Sequence, residues 1–152
     1  MIERCFVFIK PENDLGKAAE ILGYLEDRLK TDGEFESTIP VHIKGVNREV
    51  IEKHYSHIMG VPHYQPTIGA FVNGDLIALV YTGENICERI RKIIGNTDPQ
   101  KAEEGTVRKV FSRDSLENAK RYKRYLNNVV HASESGEEAE EEIGLWAGYL
   151  NN

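Results

Sequence analysis

Short apolar segments alternate with amphipathic helical patterns along this chain of 152 residues, which restricts it to layered folds in which helices pack on a sheet. The apolar run at 5–9 predicts a buried central strand that ends before Pro11. A helix is predicted to follow, from a cap at Asp14 to Gly33. Its core face would consist of apolar residues spaced three and four apart, namely Ala18, Leu22, Leu25 and Leu29.

The next segments predict an edge strand, a capped helix and a β-hairpin. Alternating apolar residues at 39–43 indicate a half-buried strand, and the proline within it favours an edge of the sheet. Asn47 is placed to cap the helix that follows. Strands at 68–72 and 76–81 are predicted on either side of the Asn-Gly pair at 73–74, a pair typical of tight hairpin turns.

The second half of the chain predicts two more helices, a long connection and a last strand. A helix is expected at 84–94, an irregular loop at 96–109, a polar helix at 113–126 and a short strand at 129–130. The whole order matches the ferredoxin-like βαββαβ plan of an α/β (α+β sandwich) protein, with extra helices and one domain over 1–152. Periodicity alone leaves other two-layer folds open.

Charge and cysteine content limit the partners and the compartment. The formal net charge of −6 is unlike that of basic proteins that coat nucleic acids, so any site for an anionic ligand needs locally concentrated cations. Cys5 and Cys87 form no C-x-x-C pair, which argues against a zinc site or a disulfide framework and favours a reducing compartment. The sequence has no apolar run of membrane-spanning length and no signal-peptide core, so we expect a cytoplasmic protein without a membrane partner.

One histidine, His131, lies between a short β-branched run and an acidic helix. Ser135 and Glu138 have the spacing of a capping box, which predicts that this helix begins at Gly136. Glu138 and Glu142 share one side of the helix and are placed to point back at His131. A histidine beside a carboxylate is an oriented nucleophile or a proton shuttle. The alternative is a polar histidine whose nitrogens bond to nearby hydroxyls.

If the substrate is a nucleotide, side chains must hold its phosphates. The sequence has neither a G-x-x-x-x-G-K-[ST] loop nor a G-x-G-x-x-G turn. Arginine suits the task because its planar guanidinium offers paired donors to phosphate oxygens. His54, His57 and His63 are close enough in sequence to suggest a metal site, but no H-E-x-x-H pattern or acidic ligand joins them. We therefore predict no metal held by the protein itself.

The sequence NVVHASES at 128–135 resembles the N-x-x-H-G/A-S-D/E-S signature of nucleoside diphosphate kinases. Further blocks follow the family's order upstream: FVFIKP at 6–11, HY at 54–55, GEN at 83–85, GNTDP at 95–99 and GTVR at 105–108. The resemblance implies transfer of a terminal phosphate from a nucleoside triphosphate to a nucleoside diphosphate, through a phosphohistidine on His131. It also implies the ferredoxin-like fold, Mg²⁺ bound through the nucleotide phosphates, and a homo-oligomer of dimers, either a tetramer or a hexamer.

The resemblance assigns catalytic roles to four residues. His131 matches the nucleophile, and Glu142 matches the carboxylate that holds its ring. Lys10 and Tyr55 match the residues near the transferred phosphate. By pattern alone, Lys10 is a solvated lysine before a proline, and Tyr55 is a helix residue that packs its ring and exposes its hydroxyl.

The resemblance also implies a nucleotide-binding set. Arg91, Thr97 and Arg108 match the positions that grip the inner phosphates. Asn128 matches the residue that meets the sugar hydroxyl, and by pattern it is equally a turn residue. His63 stands where relatives place a phenylalanine against the base, so base affinity is expected to differ.

The largest departure from the family is an insertion at 109–127. The predicted helix at 113–126 within it is basic with interleaved tyrosines, a combination seen where helices meet phosphate backbones. A solvated helix beside the active site is the more common explanation, and a subunit contact is a third. The alternative function is therefore a non-catalytic nucleotide- or nucleic-acid-binding module that uses this helix, although the overall charge makes nucleic acid an unexpected partner.

Overall fold

The computed structural model describes residues 1–11 and 15–150, which form layers of helices around one sheet. The described strands are β1 (Ile2–Ile9), β2 (Glu36–Ser37), β3 (Val41–Lys44), β4 (Asp75–Glu84) and β5 (Val130–Ala132). The described α-helices are α1 (Leu15–Asp32), α2 (Arg48–His54), α3 (Tyr64–Asn73), α4 (Ile86–Ile94), α5 (Val107–Phe111), α6 (Leu116–Arg121) and α7 (Gly136–Leu145). Short 3₁₀ helices lie at Ser56–Ile58 and Pro99–Lys101.

The sheet has β1 at its centre, between β4 and β5. Both β2 and β3 pair with the other side of β4, and all of these pairings are antiparallel. Counting β2 and β3 as one position, this strand order is that of a ferredoxin-like sheet, so the predicted fold class is confirmed. The register places His131 of β5 directly opposite Phe8 of β1.

From Cys5 to Ile9, strand β1 is buried on both faces, as its apolar sequence predicts. Cys5, Val7 and Ile9 belong to one cluster with α1 and α4. Phe6 and Phe8 belong to a second cluster with α2, α3 and α7. Full burial of a phenylalanine is worth about 2–3 kcal/mol relative to an exposed position. The buried part of β1 therefore holds Phe8 in a defined position next to His131 on β5.

The predicted hairpin around the Asn-Gly pair is wrong. The segment expected to form its first strand belongs to α3, because Ile68 and Phe71 face the core three residues apart, and Phe71 packs edge-on against Phe8 at 5.4 Å. Gly74 has φ −110° and ψ 171°, an extended conformation, whereas a two-residue hairpin turn needs positive φ. A short apolar run is compatible with either a strand or a buried helix. Here the packing of Phe71 against β1 favours the helix.

The predicted helix at 113–126 is also largely wrong, since only α6 within it is helical. Ser115 caps α6 by accepting a hydrogen bond from Asn118 N at 3.1 Å. Beyond α6 the chain turns at Lys123, whose φ is 51°, and a non-glycine residue with this φ does not continue a right-handed helix. The predicted irregular loop at 96–109 contains a 3₁₀ turn and the beginning of α5.

Two of the predicted helix caps are confirmed. The Asn47 side chain accepts a hydrogen bond from Glu49 N at 2.9 Å at the start of α2. Ser135 Oγ accepts one from Glu138 N at 3.1 Å, so α7 begins at Gly136 as predicted. The cap predicted at Asp14 lies outside the described residues.

The strand predicted at 39–43 begins two residues later than expected, since β3 starts at Val41. The Ile39 side chain before it is 87% exposed. Among the described strands β3 pairs only with β4, which confirms the predicted edge position. Within residues 1–11 and 15–150, every helix is too short or too polar to cross a bilayer.

Candidate active site

His131 lies in the middle of β5, and its ring stacks on Phe8 with 4.7 Å between ring centres. The chain reaches it through a strained turn, since Val129 has φ 77° and Val130 N donates to Asn128 O at 2.9 Å. A β-branched residue in this conformation costs about 1–3 kcal/mol and persists only when its surroundings hold it. The imidazole lies at the wall of a cavity, with 16% of the side chain exposed.

Arg108 holds this turn through its guanidinium. It donates to Asn128 O at 3.1 Å, to Val130 O at 2.8 Å and to Gly95 O at 3.0 Å. Burial, and then the charge of the neighbouring Arg91, lower the pKa of Arg108 to about 10, so the group stays charged at neutral pH. The sequence predicted Arg108 only as a phosphate ligand, whereas the structure shows that it also fastens the backbone before the histidine.

Glu142 orients the histidine ring. Its Oε1 lies 3.0 Å from His131 Nε2 and accepts a second hydrogen bond from Ser133 Oγ at 2.6 Å. When Nε2 donates to the carboxylate, the lone pair of a neutral ring is on Nδ1. Of the two carboxylates predicted to face His131, only Glu142 bonds to it, while Glu138 accepts from the backbone N–H of Glu134.

The electrostatic surroundings keep His131 neutral. Its pKa lies well below 6.5 because the ring is buried, and because Lys10, Arg108 and Arg91 repel a second positive charge. Burial raises the pKa of Glu142 to about 7. A neutral imidazole is the nucleophilic form, so burial and the nearby cations favour attack at physiological pH.

His54 completes this cluster and was not predicted as part of it. Its Nδ1 accepts a hydrogen bond from Trp146 Nε1 at 3.1 Å, and its Nε2 lies 3.9 Å from Glu142 Oε2. Its pKa is lowered by burial first and then by His131. The available sequence signal was Trp146, one helical turn after Glu142, since a buried indole N–H needs an acceptor.

The cluster of His54, His131 and Glu142 has three donor atoms within 4.8 Å of one another, a spacing that a metal ion would fit. The indole of Trp146 already occupies the Nδ1 lone pair of His54, so the proton of the neutral ring is on Nε2 and that nitrogen has no lone pair for a metal. The arrangement favours a hydrogen-bonded group over a metal centre. His57 and His63, the other two histidines weighed in the sequence as metal ligands, do not belong to this cluster.

A cavity of about 780 Å³ brings the predicted site residues together. Its lining includes all nine of them: Lys10, Tyr55, His63, Arg91, Thr97, Arg108, Asn128, His131 and Glu142. A larger cavity, of about 1170 Å³, surrounds Arg89 and Lys30 and contains no histidine. The chemistry of the lining, more than the volume, therefore identifies the smaller cavity as the candidate active site.

Two cations lie close to the histidine with different exposure. Lys10, at the end of β1, is 7% exposed and has its ammonium 5.3 Å from the centre of the Tyr125 ring. The Arg91 side chain is 39% exposed and lies 3.9 Å from Glu134. Tyr55 ends α2 and packs on Phe71 at 5.4 Å. These positions combine a buried cation with a solvent-accessible one.

Asn128 and His63 present polar groups at the cavity wall. Asn128 Nδ2 donates to Thr97 O at 2.9 Å, while its buried Oδ1 has no hydrogen-bond partner within the described part of the chain. A buried carbonyl oxygen of this kind fits a hydroxyl donor of a ligand. His63 precedes α3 and is 9% exposed, and burial lowers its pKa, followed by the charges of Lys120 and Lys10.

Comparison with known proteins identifies relatives along the chain. The model of the nucleoside diphosphate kinase family matches residues 3–149. The nucleoside diphosphate kinase of Symbiobacterium thermophilum is 34% identical over 97% of this chain and 88% of that protein. The one from Methanocaldococcus jannaschii is 35% identical over 96% of this chain and 94% of that protein.

Solved structures agree with the sequence comparisons. A crystal structure of nucleoside diphosphate kinase from Encephalitozoon cuniculi matches with a TM-score of 0.76 and 29% identity, over 99% of this chain and 93% of that one. These comparisons do not favour the alternative of a non-catalytic binding module. They confirm the resemblance carried by the blocks around His54, Thr97 and His131. The chain belongs to the nucleoside diphosphate kinase family, whose members are phosphotransferases.

Proposed function

We propose that this chain transfers the terminal phosphate of a nucleoside triphosphate to a nucleoside diphosphate through a phosphohistidine on His131. Family membership supports the reaction, and one hydrogen bond supports the residue: His131 Nε2 lies 3.0 Å from Glu142 Oε1. Because that bond uses the ring proton, Nδ1 is the nucleophilic atom.

In the first step, the Nδ1 lone pair forms a bond to the γ-phosphorus while the bond from that phosphorus to the bridging oxygen breaks. The bond electrons stay on the departing nucleoside diphosphate. No proton needs to leave the ring, which becomes a cation with phosphorus on Nδ1 and hydrogen on Nε2. The carboxylate of Glu142 stabilises this cation, and Ser133 keeps the carboxylate in place. In the second step, a terminal oxygen of another diphosphate attacks the phosphorus and frees the histidine.

The lining of the cavity supports a binding arrangement for the nucleotide. Lys10 and Tyr55 would contact the transferred phosphate, and Arg91, Thr97 and Arg108 the inner phosphates. Arg108 uses one N–H from each guanidinium nitrogen on backbone carbonyls, so further N–H groups remain for phosphate oxygens.

The sugar and base would lie beyond the phosphates. Asn128 Oδ1 would accept a ribose hydroxyl, which gives the buried oxygen a partner. His63 would stack on the base, and its lowered pKa keeps the ring neutral. Stacking by itself does not distinguish one base from another.

We propose that Mg²⁺ enters this site with the nucleotide. Magnesium prefers oxygen ligands and keeps several waters, so phosphate oxygens suffice without a dedicated protein cage. Glu134, which lines the cavity and lies 3.9 Å from Arg91, would be a carboxylate available to the hydrated ion. When bound, the ion would screen the charge of the phosphates.

We also propose that the chain is one domain, works in the cytoplasm, and assembles as dimers within a tetramer or hexamer. The family model spans 3–149, which supports one domain. Cys5 and Cys87 are both free thiols, which suits a reducing compartment. The edge strand β3 and the exposed Ile39 beside it offer unpaired backbone and apolar surface for a second copy.

Incubation with ATP labelled on the γ-phosphate tests the proposed nucleophile. The wild-type protein is expected to take up label that is lost in acid and stable in base, and to pass it to an added diphosphate. His131→Ala should take up none while its nucleotide affinity, measured by calorimetry, persists. His57→Ala is the matched control, because His57 lines the same cavity and is exposed. Full exchange activity in His131→Ala refutes the proposal.

A further inference from the structure

The inserted segment at 109–127 forms part of the active-site wall. Leu116 and Lys120 of α6 line the cavity, together with Leu126. These residues belong to the stretch that departs from the family pattern. Any contact they make with a nucleotide is therefore a property of this chain.

Helix α6 is fixed in position over the cavity. Asp98, which follows Thr97 in the loop after α4, accepts a hydrogen bond from Leu116 N at 3.2 Å. Ala119, one turn into the helix, is fully buried. The helix that carries Lys120 is thus attached to the loop that lines the cavity.

The segment that follows α6 in the insertion is also held by hydrogen bonds. Arg124 donates to both carboxylate oxygens of Asp114, at 2.6 and 2.7 Å. Asn127 N donates to the same carboxylate at 2.9 Å, and Ser112 Oγ donates to Asn127 O at 2.5 Å. The Asp114 carboxylate therefore connects the two ends of the insertion, and the helix that carries Lys120 lies between them.

Among the described cations of the insertion, only Lys120 lines the cavity. Arg121 lies 4.0 Å from Glu117, and Arg124 is bound to Asp114. Within residues 1–11 and 15–150, no carboxylate oxygen lies within 4.0 Å of the Lys120 ammonium, which is exposed at the cavity rim. Its charge is close enough to His63 to help lower the pKa of that ring.

We propose that Lys120 reads the base of the bound nucleotide and favours bases that present a keto oxygen. The inference rests on the proposed position of the base against His63. An ammonium has three donors and no acceptor, so it bonds to O6 of guanine or O4 of uracil. It has no matching partner in the 6-amino group of adenine or the 4-amino group of cytosine.

The test is calorimetric binding of diphosphates, which needs no phosphoryl transfer. GDP should bind about fivefold more tightly than ADP, and UDP about fivefold more tightly than CDP, because an exposed charged contact is worth up to about 1 kcal/mol. Inosine diphosphate keeps the keto oxygen and lacks the 2-amino group, so it should bind like GDP. Lys120→Met, which keeps the length and removes the charge, should bring both ratios to about one.

Arg121→Met is the matched control, since it removes a cation from the same helix at a position that does not line the cavity. It should keep the wild-type ratios. Equal affinity for GDP and ADP in the wild type overturns the inference, as does an unchanged ratio in Lys120→Met or an equal loss in Arg121→Met. A keto preference with no label on His131 refutes only the proposed nucleophile, whereas binding of no diphosphate at all refutes both.

Discussion

Replacement of Glu142 by glutamine should remove a loss of stability that the wild-type protein suffers as the pH rises. Burial raises the pKa of this carboxyl from 4.5 to about 7. Between these two values the folded state holds the proton more tightly than the unfolded state, so the free energy of unfolding falls as the pH rises. Each pKa unit corresponds to about 1.4 kcal/mol, which gives a loss of about 3 kcal/mol above pH 7.

Glutamine at position 142 removes that titration. The free energy of unfolding of Glu142→Gln minus that of the wild type should therefore increase by about 3 kcal/mol between pH 4.5 and pH 8. His131 and His54 have lowered pKa values and contribute stability that is lost as the pH falls below 6.5. Their titration in the unfolded state is the same in both proteins, so that part of their contribution cancels in the difference.

Urea unfolding at several pH values measures this difference. Glu141→Gln provides the control, because it removes one charge from the exposed neighbouring position of α7 and reports the effect of helix charge alone. A difference curve for Glu142→Gln that is flat from pH 4.5 to 8, or no steeper than that of Glu141→Gln, contradicts the argument that burial destabilises this carboxylate.

Two further predictions concern the supports of the histidine. In Arg108→Lys the shorter side chain cannot bond to all three backbone carbonyls. The variant should lose about 2–4 kcal/mol in its free energy of unfolding in urea and about tenfold in the rate of phosphoenzyme formation. The control Arg121→Lys should leave both quantities near the wild-type values. Ser135→Ala removes the cap of α7 and should cost about 1 kcal/mol by urea unfolding, whereas Ser135→Asn should retain the cap, and equal losses in both variants would exclude capping as the cause.

Local pattern was sufficient wherever an element's partners did not affect its conformation. The apolar run of β1, the leucine spacing of α1 and the Ser135 cap of α7 each appear in the structure as predicted. The family signature likewise pointed to His131 and Glu142, which the structure brings to 3.0 Å.

Local pattern failed where distant contacts decided. The Asn-Gly pair ends a helix because Phe71 packs on Phe8, more than sixty positions away in the sequence. The helix predicted in the insertion is interrupted because Asp114 binds Arg124 and the Asn127 backbone in a compact turn. Each of these contacts depends on residues that no short window contains.

The sequence by itself determined the alternation of strands and helices and the set of polar residues that could serve phosphoryl transfer, because periodicity and residue chemistry are local properties. Only the tertiary structure decided the protonation, tautomer and position of these groups. Burial against Phe8 and nearby cations make His131 neutral, the Trp146 indole sets the tautomer of His54, and Arg108 holds the strained turn before the histidine. Desolvation and hydrogen-bond geometry arise from groups far apart in the chain, so they exist only once the chain has folded.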